Sequence, residues 1–352
     1  MIPHSRPTID SEDIEAVTDV IKSGQIAQGL KVQEFEGVVS SYIGVKGAVA
    51  VSSGTAALHL SLLCLGVKHG DEVIIPSYTC PALLNAVYYV GAIPRLADID
   101  ARSYNIDPNF VEDYLRRKRA KAIIIVHTFG EPVDIDAFLE LSKRYSIPVI
   151  EDCAQALGAT FRGRRIGGFG LISILSFYAT KLITTGEGGM LLSDTDDFLE
   201  KARDLREYDK KKVFQLRYNY KMTDMASALG LSQFKKLPSF LKRREEIAMT
   251  YNVALGKSYE KEGRIYYRYI LGSPHAEQLI GLMEKDGISC RRPVFKPLHH
   301  YTGEKGFPQT EMAWERSISI PIYPSLTDRE VQKITDSLVR LCPEGFPNGS
   351  GR

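Results

Sequence analysis

The chain has 352 residues, of which 44% are hydrophobic and 25% are charged, a composition typical of a soluble globular protein. Its 45 Lys and Arg residues nearly balance 43 Asp and Glu residues, and the net charge of +2 gives no electrostatic reason to expect nucleic acid or a membrane surface as a partner. The five cysteines are scattered and form no C-x-x-C pair, so they indicate neither a disulfide framework nor a zinc site, and we expect no bound metal.

Length and local hydropathy add two expectations. At about 100–200 residues per domain, the length suggests two domains, or one large α/β domain with an appendage. The N-terminal residues lack the apolar core of a signal peptide, and no apolar run approaches the roughly 18 residues that span a bilayer. We therefore expect a cytoplasmic protein without a membrane-spanning segment.

Two amphipathic helices are predicted near the N-terminus. Ile14, Val17 and Ile21 recur at helical spacing, and their pattern stops at Gly24. Apolar residues repeat in the same way between positions 32 and 42 and stop before Gly44. Each pattern describes a helix with one apolar face.

Short apolar runs then alternate with helical patterns. The runs cover residues 47–53, 72–76, 92–99, 122–127, 147–152, 174–179 and 188–193, and helical patterns between them cover 82–89 and 135–145. This alternation predicts an α/β fold built from βαβ units, with a mostly parallel sheet covered by helices on both faces. Ligands should gather at the carboxyl ends of its strands.

The alternation of strand and helix patterns ends after about residue 195. We expect a long helix at 237–255, a strand at 264–271, and helices at 276–286 and 327–341. A domain boundary is placed near residue 235, which divides the chain into a large domain of residues 1–235 and a small C-terminal domain of residues 236–352. The last ten residues, 343–352, should fray.

The segment SSGTAALHLSLLCLG (52–66) is the first candidate binding feature. A strand there ends in small residues and leads directly into an apolar helix. Free backbone amides at Gly54 and Thr55, together with the positive helix end, suit a phosphate group. The alternative is an ordinary turn with a Ser or Thr cap.

Two charged residues follow later strands. Asp152 ends the apolar strand of VIEDCAQA (149–156), where a carboxylate either faces the open strand end, meets a cation or caps a helix. Lys181 lies just past a strand in SFYATKLITTGEGGM (176–190), where it is either a reactive amine or a solvated surface lysine.

These three features together fit pyridoxal 5'-phosphate. This cofactor needs an anion cradle, a lysine for its aldehyde, and a carboxylate that keeps its pyridine nitrogen protonated. Asp152 and Lys181 are 29 residues apart, which is enough for a crossover between strands that share one pocket.

With these features in this order, the sequence resembles the fold-type-I pyridoxal-phosphate enzymes, and among them the sugar-nucleotide aminotransferases of the DegT/StrS type. The resemblance covers nearly the whole chain in order and spacing. It includes VIEDCAQALGATFRGRRIGGFG (149–170), SFYATKLITTGEGGMLLS (176–193), YNYKMTDMASALGLSQFKKL (218–237) and IPIYPSLT (320–327). It implies a large domain with a mostly parallel central sheet flanked by helices and a smaller α+β C-terminal domain.

The resemblance also implies roles for individual residues. Lys181 would hold the cofactor as a Schiff base and move protons, and Asp152 would pair with the pyridine nitrogen. The other positions are implied to contact the cofactor: Gln155 near the ring hydroxyl, Gly54, Thr55 and Ser176 at the phosphate, and Asn219 reaching the phosphate from a neighbouring subunit. Because of that last position, a homodimer with shared active sites is implied.

This chain departs from the family pattern in two places. Many relatives carry an aromatic residue after the Thr that corresponds to Thr79, where it stacks on the pyridine ring, but here the position is Cys80. Cys80 is assigned as a ring neighbour, and Tyr78, another ring or an aliphatic side chain would do the stacking. The second departure is a shorter stretch from about 255 to 300, which in the family helps to form the sugar-nucleotide pocket.

Two histidines have competing interpretations. His127, at a strand end, is read as a hydrogen-bonded structural residue rather than as an acid or base. His299, in KPLHHY, matches a family position near the substrate channel and is a candidate substrate contact.

The sequence therefore predicts an aminotransferase that takes an amino group from glutamate or glutamine and gives it to a nucleotide-linked keto-sugar in two half-reactions. One alternative is a sugar dehydratase of the same family, although such members carry His where Lys181 stands. The other alternative is a non-catalytic regulator on the same fold.

Overall fold

A computed structural model describes residues 1–257 and 262–341. The frayed tail predicted at 343–352 lies outside the described residues. No helix in the described part of the chain combines the length and the apolar character needed to cross a membrane.

Both predicted N-terminal helices are present, as α1 (Ser11–Ser23) and α2 (Leu30–Ile43). The apolar face predicted for α1 is wrong, because Ile14 and Ile21 are exposed while Asp13 is buried. Polar contacts decide this orientation. The Asp13 carboxylate lies 2.8 Å from Lys236 Nζ and accepts a 2.8 Å hydrogen bond from the Gln233 amide.

The strands predicted between residues 47 and 193 are confirmed to within a few residues at their ends. They are β1 (Gly47–Val51), β2 (Glu72–Pro76), β3 (Ile93–Ala97), β4 (Ala122–Val126), β5 (Val149–Asp152), a hairpin of β6 (Thr160–Phe161) and β7 (Arg164–Arg165), then β8 (Ile172–Ser176) and β9 (Gly189–Ser193). In the described ranges the central sheet has seven strands, in the order β1-β9-β8-β5-β4-β2-β3. Only β9 runs antiparallel to its neighbours in this sheet, so the predicted mostly parallel arrangement is confirmed.

Helices cover both faces of the sheet. They are α3 (Gly54–Cys64), α4 (Ala82–Tyr89), α5 (Pro108–Leu115), α6 (Ile135–Tyr145) and α7 (Asp196–Leu205), with a short 3₁₀ turn at Thr128–Gly130. Strand β4 shows why its sequence is apolar throughout. Ile123 and Ile125 pack into the core on one face, whereas Ile124 and Val126 pack into the core on the other. Every side chain of such a strand is buried.

The C-terminal part combines helices with a small sheet. Its elements are α8 (Asp224–Ala254), β10 (Tyr269–Gly272), α9 (Ala276–Lys285), α10 (His299–Thr302), α11 (Pro308–Arg316), β11 (Ser317–Ile320) and α12 (Asp328–Leu341). Strands β10 and β11 pair antiparallel. Strand β10 begins five residues later than the predicted strand at 264–271, and α8 begins well before the predicted residue 237. Because residue 235 lies inside α8, the division into 1–235 and 236–352 stays a prediction.

Candidate active site

The carboxyl ends of the parallel strands bring the predicted residues to one edge of the sheet. Strand order places β1, β8 and β5 close together, with only β9 between β1 and β8. Gly54 follows β1, Ser176 ends β8 and Asp152 ends β5. Three positions that are far apart in the sequence therefore line the same edge.

The turn between β1 and α3 touches the end of β8. A Cβ atom on Gly54 would lie 2.9 Å from the Ser176 Cβ, so only glycine permits this approach. The Ser53 side chain caps α3 by accepting a 3.1 Å hydrogen bond from the Ala56 amide. The Gly54 and Thr55 amides thus lie at the positive end of α3, beside the Ser176 hydroxyl, which is the chemistry of an anion site.

Asp152 is a buried carboxylate that is hydrogen-bonded by a backbone amide. Its Oδ1 accepts a 2.9 Å hydrogen bond from the Ala154 amide, and residues 153–158 form turns and not the capped helix considered as an alternative. Burial raises the pKa of Asp152, while the nearby Lys181 and His127 act in the opposite direction. A cation placed against Asp152 would stabilise its ionised form.

Glu151 is in the opposite situation, although it is the next residue. It accepts hydrogen bonds from the backbone amides of Gly167 and Phe169 at 2.8 and 2.7 Å, and its Oε2 lies 3.2 Å from His127 Nε2. Although burial opposes ionisation, His127 and the backbone amides hold the pKa of Glu151 below its usual value. The Val133 amide donates to His127 Nδ1, so His127 has the structural role predicted for it.

Lys181 is partly buried in the turn after β8. Its Nζ lies 5.1 Å from the centre of the Tyr267 ring. A narrow recess beside it is lined by Arg6, Gln233 and Arg244 among others. The amine is therefore held among protein groups, unlike a solvated surface lysine.

The predicted neighbours of the cofactor ring, Gln155, Cys80 and Tyr78, have different surroundings in the structure. Gln155 Oε1 accepts a 3.1 Å hydrogen bond from the Phe129 amide, and Cys80 is exposed. Tyr78 is fully buried against Tyr104 and Phe129, with no surface left to contact a cofactor ring. The suggestion that Tyr78 stacks on the pyridine is therefore wrong, because its ring is packed in the core.

Asn219 and His299 differ in exposure. The Asn219 side chain is exposed, and the neighbouring Tyr220 carbonyl accepts a 2.8 Å hydrogen bond from the Ser52 amide. His299 is buried, with Nδ1 2.6 Å from the Ser77 hydroxyl and Nε2 2.8 Å from Glu311 Oε1. Both ring nitrogens of His299 already have partners, and its substrate contact stays a prediction.

Sequence reasoning missed Tyr267 as a residue of the site. Lys181 and Arg268 both lie over its ring, with the guanidinium carbon of Arg268 at 4.8 Å from the ring centre. In the sequence Tyr267 is one of several tyrosines in a predicted strand, so no local signal separates it from a core residue.

The chain is similar to known proteins over nearly its whole length. A sequence model of the DegT/DnrJ/EryC1/StrS aminotransferase family matches residues 7–339. The chain is 32% identical to GDP-perosamine synthase of Vibrio cholerae over 96% of this chain and 98% of that protein. Its fold is similar to Helicobacter pylori PseC, an aminotransferase involved in the biosynthesis of pseudoaminic acid, with a TM-score of 0.90, 28% identity, and coverage of 96% and 98% of the two chains. It is also similar to the PLP-form of the putative sugar aminotransferase Spr1654 of Streptococcus pneumoniae, with a TM-score of 0.88, 28% identity, and coverage of 97% and 99%.

Proposed function

The chain belongs to the DegT/DnrJ/EryC1/StrS aminotransferase family, and from this premise we propose that it transfers an amino group from glutamate or glutamine to a nucleotide-linked keto-sugar with pyridoxal phosphate as cofactor. The observation that carries the proposal is the buried Asp152 carboxylate beside Lys181 at the edge that also holds the Gly54 turn. Names of relatives support the substrate class, since the Vibrio protein is called a GDP-perosamine synthase and PseC is described as an aminotransferase.

The residues at this edge fit pyridoxal phosphate at both of its ends. A Cβ on Gly54 would fill the space between this residue and Ser176. With glycine there, the positive end of α3 is open to a phosphate. Asp152 is a buried carboxylate whose pKa is raised by burial, so a protonated pyridine nitrogen beside it would stabilise its ionised form. Lys181 supplies the amine for the aldehyde.

When bound, the cofactor supplies an electron sink for the negative charge that develops on the substrate carbon. The Gly54 and Thr55 amides and the Ser176 hydroxyl bind its phosphate. Asp152 keeps the pyridine nitrogen protonated. Lys181 takes the proton from the α-carbon of the donor and, after the keto acid has left, returns a proton to the sugar carbon. The two half-reactions thus use one acid and base in turn.

Assay of the full-length protein tests the function. With glutamate and a panel of keto-sugar nucleotides, we expect 2-oxoglutarate and an aminated sugar nucleotide. Lys181→Arg should abolish transfer and should remove the absorption band that borohydride reduces in the wild-type holoenzyme. Lys143→Arg, on the exposed side of α6, is the matched control and should transfer at the wild-type rate. Full activity of Lys181→Arg, or no transfer to any sugar, would refute the assignment.

We propose also that the enzyme is a homodimer with shared active sites. The segment before Asn219 supports this, because Val213, Phe214 and Leu216 are exposed in the single chain, Phe214 by 95%. Exposed apolar side chains grouped in this way mark a surface that another protein covers. A second copy would cover them and bring its Asn219 to the phosphate end.

Analytical ultracentrifugation checks the dimer. Wild-type protein should sediment as a dimer, and Phe214→Asp should shift it towards monomer and lower the cofactor affinity together. Val253→Asp, at a similarly exposed position on α8, serves as the comparison. A monomeric wild-type protein with full activity would disprove the shared site.

A further inference from the structure

Tyr267 is a buried tyrosine whose charged neighbours are cations. The residue is 6% exposed, Lys181 Nζ lies 5.1 Å from its ring centre, and Arg268 lies 4.8 Å from the same centre. Arg268 Nη2 also donates to the phenol oxygen at 3.4 Å. Within residues 1–257 and 262–341, no carboxylate hydrogen-bonds to this phenol.

Both the backbone and the phenol of Tyr267 have partners. Arg244, itself buried on α8, donates from Nη1 to the Tyr267 carbonyl at 3.3 Å and to the Ile322 carbonyl at 2.7 Å. The Thr180 hydroxyl, next to Lys181 in the chain, hydrogen-bonds with the phenol. Turning the ring away from Lys181 would therefore break the contacts of the phenol with Thr180 and Arg268.

Three cations from different parts of the chain lie around Tyr267. Lys181 belongs to the turn after β8, Arg244 to α8, and Arg268 to the segment that leads into β10. His4 lies against Arg268 but is neutral, since burial and the two nearby arginines lower its pKa to about 3. Burial alone would raise the pKa of Tyr267, but Lys181, Arg268 and Arg244 lower it to about 7.

We propose that Tyr267 is a positioning residue whose phenolate holds the Lys181 ammonium at the edge of the sheet. The contact is electrostatic, because Lys181 Nζ lies over the ring at 5.1 Å from its centre. The position matters because Lys181 supplies the amine for an aldehyde. The role of the pair in catalysis rests on the proposed function, whereas the pairing itself does not.

Tyrosine titration of the full-length protein stripped of cofactor tests the pairing. Tyrosinate is followed by its ultraviolet difference absorption from about pH 6 to about pH 9, below the ordinary tyrosine pKa of about 10. We expect one tyrosine to ionise near neutral pH in the wild-type protein and that signal to be lost in Tyr267→Phe. Lys181→Met should move the signal upward by at least about one pH unit, because the nearest cation is gone.

Tyr269→Phe is the matched control. Tyr269 is buried two residues away and donates its hydroxyl to Asn252, and burial raises its pKa. This variant should keep the neutral titration. Adding pyridoxal phosphate to the wild-type protein should shift the titration upward, because condensation removes the Lys181 ammonium.

Three results would overturn the pairing: no tyrosine that ionises near neutral pH, a signal that survives in Tyr267→Phe, or a signal unchanged in Lys181→Met. If Tyr267→Phe does not fold, Lys181→Met decides, since it leaves Tyr267 in place. A neutral titration without amino transfer would refute the proposed function and keep the pairing. Transfer without that titration would refute only the pairing.

Discussion

Glu151 and Asp152 show how one step along a strand separates two carboxylates. Successive side chains of a strand point to opposite faces. Glu151 thus meets backbone amides and His127, which lower its pKa, while Asp152 lies at the carboxyl edge of the sheet, where burial raises its pKa. The first carboxylate stabilises the fold, and the second is available to a bound cation.

Exchanging each carboxylate for its amide should therefore give opposite results. Glu151→Gln replaces an oxygen that accepts backbone hydrogen bonds by an NH₂ group, and we expect it to lose about 2–4 kcal/mol of unfolding free energy. Asp152→Asn removes a charge that the fold does not favour, so it should unfold close to wild type and yet lose amino transfer. Urea unfolding and the transfer assay check both. A stable, active Glu151→Gln or an active Asp152→Asn would contradict this division.

At the scale of elements, Asp224 ties two helices together. Its Oδ1 accepts from the Gly29 and Val32 amides at 2.8 and 3.0 Å, which caps α2 from the first residue of α8. A Cβ at Gly29 would lie 2.7 Å from Asp224 Oδ2, so a larger residue there would push the carboxylate away from its cap position. The cap of α2 is therefore supplied by a residue almost two hundred positions away.

Removing this cap should destabilise the fold. Asp224→Ala leaves two amides without an acceptor in a buried position, and we expect a loss of about 1–3 kcal/mol in unfolding free energy. Asp224→Asn keeps one acceptor oxygen and should retain most of the stability. Thermal and urea denaturation measure both variants, and equal stability of the two would show that the cap contributes little.

Helix α8 also shows where local rules fail for an element. Gly230 and Pro238 oppose a continuous helix, and α8 nevertheless runs from Asp224 to Ala254 through both. A Cβ on Gly230 would lie 2.8 Å from the Phe35 ring, so glycine is the residue that lets α8 pack on α2. The packing of α8 against α2 thus outweighs the low helix propensity of Gly230.

At the scale of the whole molecule, His59 links stability to pH. It lies on α3 among the rings of Tyr89, Tyr218 and Tyr220, and its Nε2 has no hydrogen-bond partner within the described residues. Burial lowers its pKa from 6.5 to about 4. Folding thus favours the neutral ring, and this stability is complete above pH 6.5 and is lost as pH falls towards 4.

Between pH 7 and pH 5, His59 should account for about 1–2 kcal/mol of lost unfolding free energy. His59→Phe keeps an aromatic ring without the proton and should flatten this part of the stability profile. His275→Gln, at an exposed position, should leave it unchanged. Urea unfolding across this pH range makes the measurement, and parallel profiles for wild type and His59→Phe would exclude His59 as the cause.

The sequence by itself determined the sheet and the residues at its edge. The strands from residue 47 to 193 are local apolar runs, and parallel connections force their carboxyl ends, with Gly54, Asp152 and Ser176, to one side. The order of the motifs identified the family. The apolar runs and the order of the motifs can be read from the sequence because they depend only on short-range pattern and chain order.

Only the tertiary structure decided which side chains meet. It placed Tyr78 in the core and not on the cofactor, turned Asp13 of α1 inward to Lys236, and brought Tyr267 to Lys181 from 86 positions along the chain. Such contacts depend on the packing of distant elements and on the charges they bring together. The neighbours of Tyr267 in the sequence include Arg268 but give no sign of Lys181 or Arg244.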